Sequence, residues 1–321
     1  MKRALTMMTL GVVTAMAVPA SAQDFPERPV TVVNPYSAGG PADLISRTIA
    51  EPMGELLGQP VVVENRPGAG TAIAAAHVTG SEPDGYTLII AGSPTHIVTP
   101  ALTDADYDGL EDFRPVSAVV EVPNALVVPA DRGFASVEEL VDAARDRGGS
   151  MTFGSVGVGS LPQFLGVLLQ QRADVELTHV PYGGAAPAVT DLVAGNIDMA
   201  FLNVPPVLGH VRDGTLRALA VASAERSQQL PDVPTMEELG YDDFVMSTWY
   251  GISAPAGTPD AVIETLDAAI GQAMARDDVA EALAQSGVEV TYMNSSEFDA
   301  FMRSDAELML GLVEAANMRG E

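Results

Sequence analysis

Short apolar runs alternate along the chain with longer stretches in which apolar residues recur every three or four positions. The short runs are typical of buried strands, and the longer stretches are typical of amphipathic helices. We therefore predict strands at residues 30–34, 61–64, 87–91, 125–128, 177–182, 199–204 and 216–222. The regular alternation indicates an α/β fold in which helices join parallel strands.

Helix starts are marked by capping patterns. Two sites fit the capping box, Ser136 with Glu139 and Thr235 with Glu238. Thr258 precedes Pro259, and we expect the threonine to cap a helix whose first turn holds the proline. The apolar residues behind this proline recur every four positions, which predicts an amphipathic helix facing a core. They are Val262, Leu266, Ile270 and Met274.

Two segments, residues 126–144 and 252–269, resemble each other weakly, each being an extended run, a proline and then a helix. We interpret both as strands that cross between two lobes. This interpretation gives a discontinuous lobe 1 (residues 23–124 and 246–321) and an inserted lobe 2 (residues 125–245). A chain of 321 residues is also too long for one small core.

The first 22 residues have the pattern of a signal peptide. Lys2 and Arg3 precede an apolar run that is too short to span a membrane, and Ala20-Ser21-Ala22 follows it. We predict cleavage after Ala22 and export to the periplasm. The sequence contains no cysteine, so we expect neither a lipid anchor nor a disulfide.

The formal net charge is −27 at pH 7, and Lys2 is the chain's lone lysine. Such a charge disfavours nucleic acid and anionic membrane surfaces as partners. It fits an ordinary solvated surface or adaptation to a salty medium. The carboxylates show no spacing typical of a metal site, and we predict a monomer without metal or cofactor.

The most informative local pattern follows the strand at residues 30–34, where Gly39 and Gly40 precede a helix that opens with Pro41. Glycine turns at a helix N-terminus can bind anions through backbone amides and the helix dipole. A second such loop has Gly154, Gly157 and Gly159 before a helix beginning near residue 160. The glycines could also serve only to permit tight turns.

We expect backbone amides of these two loops and hydroxyl groups, rather than a lysine or arginine, to hold a carboxylate. Arg66 lies near the candidate loops, and it is equally suited to packing against Pro67.

Other chemistries find little support in the sequence. A dinucleotide site needs an acidic residue at the end of the next strand, and that strand ends in Tyr182 without one. The histidines lie in unrelated contexts: His77, His96, His179 and His210. Ser93 and His96 share a polar loop and leave a hydrolytic pair as an alternative, although such neighbours are more often hydrogen-bonding loop residues.

Longer motifs resemble the tripartite tricarboxylate transporter substrate-binding family, the Bug receptors, along almost all of the mature chain. They include FPERPVTVVNPYSAGGPAD, GQPVVVENRPGAGTA, FGSVGVGS, THVPYGGAAPAVTDLVAGNIDMAF and WYGISAPAGTPDAV. The resemblance implies a two-lobed periplasmic binding protein, type II and flytrap-like, with a ligand cleft between α/β lobes. It also implies an organic acid ligand: a dicarboxylate, a tricarboxylate, an amino acid or an aromatic acid.

The resemblance places the ligand-binding residues on five loops and one strand end. They are Tyr36, Ser37, Ala38, Gly39, Gly40, Gly70, Thr71, Ser93, Thr95, His96, Ser155, Gly157, Gly159, Ser160, Tyr182, Gly183 and Asn203. Two departures from the family stand in these loops: Gly183 replaces a frequent lysine, and Gln163 replaces a frequent histidine. Asn34 and Thr71 are also unusual, so the ligand's identity does not follow from the family.

The leading function is therefore a substrate-binding protein that is not an enzyme and passes a carboxylate to a large and a small integral membrane protein. One alternative is a receptor of the same fold that presents its ligand to a membrane sensor kinase. The other is a secreted small-ester hydrolase that uses Ser93.

Overall fold

The computed structural model describes residues 25–157 and 159–315. The predicted signal peptide and its cleavage site at Ala22 lie outside these residues. Within the described part of the chain, no helix combines the length and the apolar character needed to cross a membrane.

The strands are short and mostly buried. In chain order they are β1 (Val30–Asn34), β2 (Val61–Asn65), β3 (Thr87–Ala91), β4 (Phe113–Val122), β5 (Asn124–Pro129), β6 (Thr152–Ser155), β7 (Thr178–Pro181), β8 (Met199–Asn203), β9 (Leu216–Val221), β10 (Thr248–Pro255) and β11 (Glu289–Met293). The predicted strands at residues 30–34 and 87–91 are confirmed at both ends, and the other predicted strands lie within one residue of the observed ends.

Helices connect most of these strands. They are α1 (Pro41–Leu57), α2 (Ala72–Thr79), α3 (Thr99–Leu102), α4 (Val137–Arg147), α5 (Leu161–Ala173), α6 (Ala185–Val193), α7 (Val204–Arg212), α8 (Asp260–Met274), α9 (Asp277–Gln285) and α10 (Ser295–Ala315). Single helical turns at Ala69–Thr71, Pro94–Val98, Ala130–Arg132 and Glu237–Leu239 interrupt the loops.

The strands form two sheets. The larger sheet has the order β11-β4-β10-β3-β1-β2, and the smaller one has the order β7-β6-β8-β5-β9. β1 is parallel to β2 and β3, and β6 is parallel to β7 and β8, whereas β4, β5, β10 and β11 pair in antiparallel fashion. The α/β class is correct, but the expectation of parallel strands holds only for part of each sheet.

The antiparallel pairs arise where the chain crosses from one sheet to the other. β4 ends at Val122 and β5 begins at Asn124, so Pro123 alone separates strands of different sheets. The chain returns to the larger sheet at Thr248. Asn124 pairs with Asn203 of β8, so the smaller sheet starts one residue before the predicted boundary at residue 125.

The predicted helix caps have mixed outcomes. Ser136 Oγ accepts from Glu139 N (3.2 Å) and caps α4, as predicted. The capping box at Thr235 forms too, with Glu238 N donating to Thr235 Oγ1 (3.1 Å). It precedes only the single helical turn Glu237–Leu239 and not a longer helix. The expected cap at Thr258 is wrong. Its hydroxyl donates to Pro255 O (2.8 Å), and Pro259 occupies the N-cap of α8.

One hydrophobic cluster contains residues from both sheets. α10 contributes Phe298, Met302 and Met309, and β10 contributes Trp249. These side chains belong to the same buried cluster as Leu165 of α5, which covers the smaller sheet. α10 therefore packs on the larger sheet while also contacting the helix layer of the smaller one.

Candidate functional site

Two adjoining cavities lie between the ends of the two sheets. The inner cavity has a volume of ≈ 130 Å³ and is lined by Tyr36, Gly92, Ser93, Pro94, Val98, Val156, Gly159, Ser160, Leu161, Pro162, Asn203, Thr248, Trp249, Tyr250 and Met309. The outer cavity has a volume of ≈ 390 Å³ and adds Pro35, Ser37, Pro67, Gly68, Gly70, Thr71, Thr99 and Gly157. We call the pair the cleft.

The topology explains why these residues meet. β1 and β3 run parallel, so the loops that leave their carboxyl ends emerge at the same edge of the larger sheet. The loop after β6 faces them from the smaller sheet. Gly159 in this loop has φ +77°, a conformation that favours glycine, and a Cβ built there would lie 3.0 Å from both Leu102 and Val98.

Some predicted site residues line the cleft and others do not. Those in the cleft are Tyr36, Ser37, Gly70, Thr71, Ser93, Gly157, Gly159, Ser160 and Asn203. Gly39 and Gly40 instead line a separate groove of ≈ 670 Å³ against Pro205 and Pro206 of α7. The other predicted residues line neither the cleft nor this groove: Ala38, Thr95, His96, Ser155, Tyr182 and Gly183.

His96 is part of the hydrophobic interior. Only 2% of it is exposed, its Nδ1 lies 2.7 Å from Gly109 O, and its ring stacks on that of Trp249. Burial lowers the pKa of His96 to about 4, so the ring is neutral at physiological pH. Ser93 Oγ donates to Asp305 rather than to His96, and the geometry therefore does not form the serine–histidine pair of the hydrolase alternative.

Ser155 is also fully buried. Its Oγ lies 2.8 Å from His179 Nε2 and accepts from Gly157 N (3.2 Å). Gln163 Oε1 accepts from Gly159 N (2.7 Å), so the residue that replaces the family's frequent histidine holds this loop in shape. Two amides that we expected to bind a carboxylate are thus already bonded within the chain.

One amide of the first glycine loop is bonded within the chain as well. Gly39 N donates to Asp43 Oδ2 (2.9 Å), and Asp43 Oδ1 accepts from Asn65 Nδ2 (2.9 Å) and Arg47 Nε (3.1 Å). The hydrogen bond from Arg47 is the largest cause of a pKa of Asp43 well below its usual range. The Asp43 carboxylate therefore occupies the Gly39 amide at the N-terminus of α1, and the expectation that Gly39 and Gly40 bind a ligand carboxylate stays a prediction.

Hydroxyl groups supply further hydrogen-bond donors in the cleft. Burial raises the pKa of Tyr36 above its usual range and that of Tyr250 to about 12, so both phenols keep their protons. Thr248 Oγ1 accepts from Asn203 Nδ2 (3.0 Å) and Asn124 Nδ2 (3.2 Å), which leaves its own proton for another acceptor. Sequence reasoning missed Thr248 and Tyr250, although Tyr250 stands in the WYGISAP motif at the second crossing and Thr248 directly precedes it.

Asp305 was missed too. Its Oδ2 accepts from Ser93 Oγ (2.8 Å) and Trp249 Nε1 (2.7 Å), and both donors line the inner cavity. Met309, one helical turn further along α10, lines the same cavity. The helical spacing of Asp305 and Met309 puts them on one face, but nothing in the sequence indicates that this face meets Ser93.

Neither cavity has an arginine among the described residues that line it. Within residues 25–157 and 159–315, no group of three or more histidine, aspartate or glutamate side chains is arranged to hold a metal ion. The cleft thus combines an apolar wall with neutral hydroxyl and amide groups.

Comparison with known proteins agrees with this architecture. A family model described as the tripartite tricarboxylate transporter family receptor matches residues 45–318. Protein BugT of Bordetella pertussis is 36% identical over 316 residues, which cover 98% of this chain and 97% of that protein.

Two solved structures are similar over most of their length. Rpa4515 of R. palustris with adipate has a TM-score of 0.82 at 30% identity, covering 92% of this chain and 99% of that one. MatC of Rhodopseudomonas palustris with bound malate has a TM-score of 0.78 at 32% identity, covering 90% of this chain and all (100%) of that one. The chain belongs to the tripartite tricarboxylate transporter receptor family and has the fold of its periplasmic solute-binding proteins.

Proposed function

We propose that this protein binds a small organic carboxylate in the cleft and delivers it to a tripartite tricarboxylate membrane transporter. The observation that carries the proposal is the cleft itself: loops of both sheets enclose it, and three protonated hydroxyls face an apolar wall. Malate and adipate in two structural neighbours support a carboxylate as the ligand class.

Hydroxyls can bind a carboxylate without a cation. Hydrogen bonds to a charged group contribute roughly 1.5–3 kcal/mol each. Three of them, from Tyr36, Thr248 and Tyr250, together with apolar contacts to Val156 and Leu161, support micromolar binding, about −8 kcal/mol after association costs.

The proposed lobes meet at the chain crossings, with lobe 1 at residues 23–124 and 246–321 and lobe 2 at residues 125–245. The strands of the larger sheet come from the first set and, apart from the first residue of β5, those of the smaller sheet come from the second, which supports the division. The two crossings near Pro123 and Thr248 are then the hinge of a flytrap that closes on the ligand.

A blocking substitution tests the ligand site. Val156 lines both cavities, and Val156→Trp would fill the cleft. The matched control is Val62→Trp, on an edge strand with Val62 half exposed (50%). Thermal shift and calorimetry against a panel of organic acids should show binding to the wild type and the control but not to Val156→Trp. Equal binding by all three proteins would place the ligand elsewhere.

Transport needs its own test. We infer that the protein is exported, is cleaved after Ala22, and works as a periplasmic monomer beside a large and a small membrane subunit. Cells carrying both subunits but lacking this protein should take up the labelled acid only when the protein is supplied. Uptake that is independent of it would favour a sensory role.

A further inference from the structure

The hydroxyl of Ser93 has a fixed direction. Its proton is donated to Asp305 Oδ2 (2.8 Å), and the same oxygen accepts the indole proton of Trp249 (2.7 Å). A serine hydroxyl has one proton, so Ser93 can offer a cleft ligand only its lone pairs. The indole N–H of Trp249 is likewise donated to Asp305 and is not available to a ligand.

This side of the inner cavity therefore accepts hydrogen bonds and gives none through Ser93 or Trp249. The opposite preference holds at Thr248, whose Oγ1 already accepts two amide protons and keeps its own proton to donate. Tyr250 adds a phenol that stays protonated because burial raises its pKa to about 12. The residues that line the cleft thus include groups that can only accept a hydrogen bond from a ligand and groups that can donate one.

Charge adds to this polarity. Asp305 is partly buried on α10, one turn before Met309 in the cavity wall, and burial raises its pKa. A negatively charged ligand group that has no proton to donate, such as a second carboxylate, would meet the oxygen lone pairs of Ser93 with Asp305 behind them. An ammonium or hydroxyl group would instead donate to Ser93 and be attracted by the carboxylate.

We infer that Ser93, positioned by Asp305, forms a subsite that selects a ligand with one carboxylate and, at its far end, a hydrogen-bond donor, an ammonium in preference to a hydroxyl. The inference rests on the proposed function and narrows it, because it excludes dicarboxylates as the preferred ligand. Ser93 contacts the ligand directly, whereas Asp305 is a positioning residue that acts through Ser93.

Matched ligand series test the subsite without any variant. Straight-chain acids of about three to six carbons would be compared by calorimetry at each length with four far-end groups: ammonium, hydroxyl, methyl and carboxylate. At the length that binds best, we expect the ammonium and hydroxyl forms to bind at least about tenfold more tightly than the methyl and carboxylate forms. Tightest binding by the dicarboxylates would overturn the inference and leave the proposed function intact. Binding of other organic acids from the wider panel but of none in this series would also overturn the inference, whereas binding of no organic acid at all would overturn the proposed function itself.

Two variants then locate the effect. Asp305→Asn should reduce the preference for ammonium over carboxylate at least about tenfold, and Ser93→Ala should lower the hydroxyl form to the affinity of the methyl form. The control Asp299→Asn removes the same charge from the solvent side of α10, where Asp299 pairs with Arg303, and should leave the preference unchanged. Melting temperatures check that each variant folds. An unchanged preference in folded Asp305→Asn, or an equal loss in Asp299→Asn, would overturn the subsite.

Discussion

Glu121 and Glu289 lie directly opposite each other on the antiparallel strands β4 and β11. Glu289 Oε1 accepts from Ser227 Oγ (2.9 Å) and Gln228 N (3.1 Å), which belong to the segment that returns to the larger sheet. Burial raises the pKa of Glu121, and the charges of Glu289 and Asp305 raise it further. Facing carboxylates destabilise a strand pair, and here they do so close to both crossings.

Replacing Glu121 with glutamine should therefore stabilise the protein at about pH 8, by roughly 0.5–1 kcal/mol. Glu121 has a higher pKa in the folded protein than in the unfolded chain, where the pKa of a glutamate is about 4.3. The wild type therefore gains stability as the pH falls toward that value. The advantage of Glu121→Gln should disappear over this range. Urea unfolding at both ends of the range measures it, with exposed Glu264→Gln as the control. A variant less stable than the wild type at the higher pH would contradict the prediction.

The buried carboxylate of Asp43 should have the opposite dependence on pH. The hydrogen bond from Arg47 holds its pKa below the unfolded value of about 3.9, so its contribution is present above that pH and is lost as the pH falls further. Asp43→Asn should lower the free energy of unfolding by about 1–3 kcal/mol at neutral pH, because Asn65 and Arg47 would then face an amide donor. The difference should shrink below about pH 4.

The matched control for Asp43→Asn is Glu51→Gln, an exposed acid on the same helix. It should change little at either pH. Chemical denaturation at neutral and acidic pH gives both values, and an equal destabilisation at both would argue against the charge of Asp43 as the cause.

Gly159 should be needed for closure of the cleft. A Cβ at this position would lie 3.0 Å from Leu102 of α3 and from Val98 in the helical turn before it, and φ is +77°. Gly159→Ala should weaken ligand binding at least about tenfold. Gly133→Ala is the control, since Gly133 has a similar φ of +81° but open space around it. Calorimetry compares the two, and equal weakening would point to backbone strain rather than to the contact.

Added salt should raise the melting temperature. The net charge is −27, so the excess carboxylates repel one another. Dissolved ions screen this repulsion beyond a Debye length of about 10 Å at 0.1 M. Melting curves from low to molar sodium chloride measure the effect. A flat or falling curve would mean that the surface carboxylates are spaced too widely to limit stability.

The sequence predicted strands whose apolar runs stand out locally, including the half-exposed edge strand β2. β1 and β3 are mostly apolar runs because both of their faces are covered. β11 was missed since it lies at a sheet edge, where Val290 and Tyr292 are exposed (38% and 41%) and the run is mixed. β4 was missed because Pro115 and Ser117 interrupt its apolar pattern, although both are buried.

Only those parts of the site that are formed by residues close together in the sequence were predictable. Glycine loops after strands are recognisable in the sequence, and Gly157 and Gly159 do line the cleft. The contact between Ser93 and Asp305 spans 212 positions, and no local pattern reports such a pair. The hydrogen bond from the Gly39 amide to Asp43 was not predictable for a related reason, because the pattern does not fix the direction of the Asp43 side chain.

The shared packing of α10 has a consequence for how the molecule unfolds. Met302 and Met309 of this helix belong to the same buried cluster as Leu165 and Phe201, which cover or form the smaller sheet. Losing either sheet would expose apolar surface on the other, so neither is a self-sufficient cooperative unit. Despite a chain that crosses between its sheets, the protein should melt as a single thermodynamic unit, and a truncation that removes α10 would destabilise both halves at once.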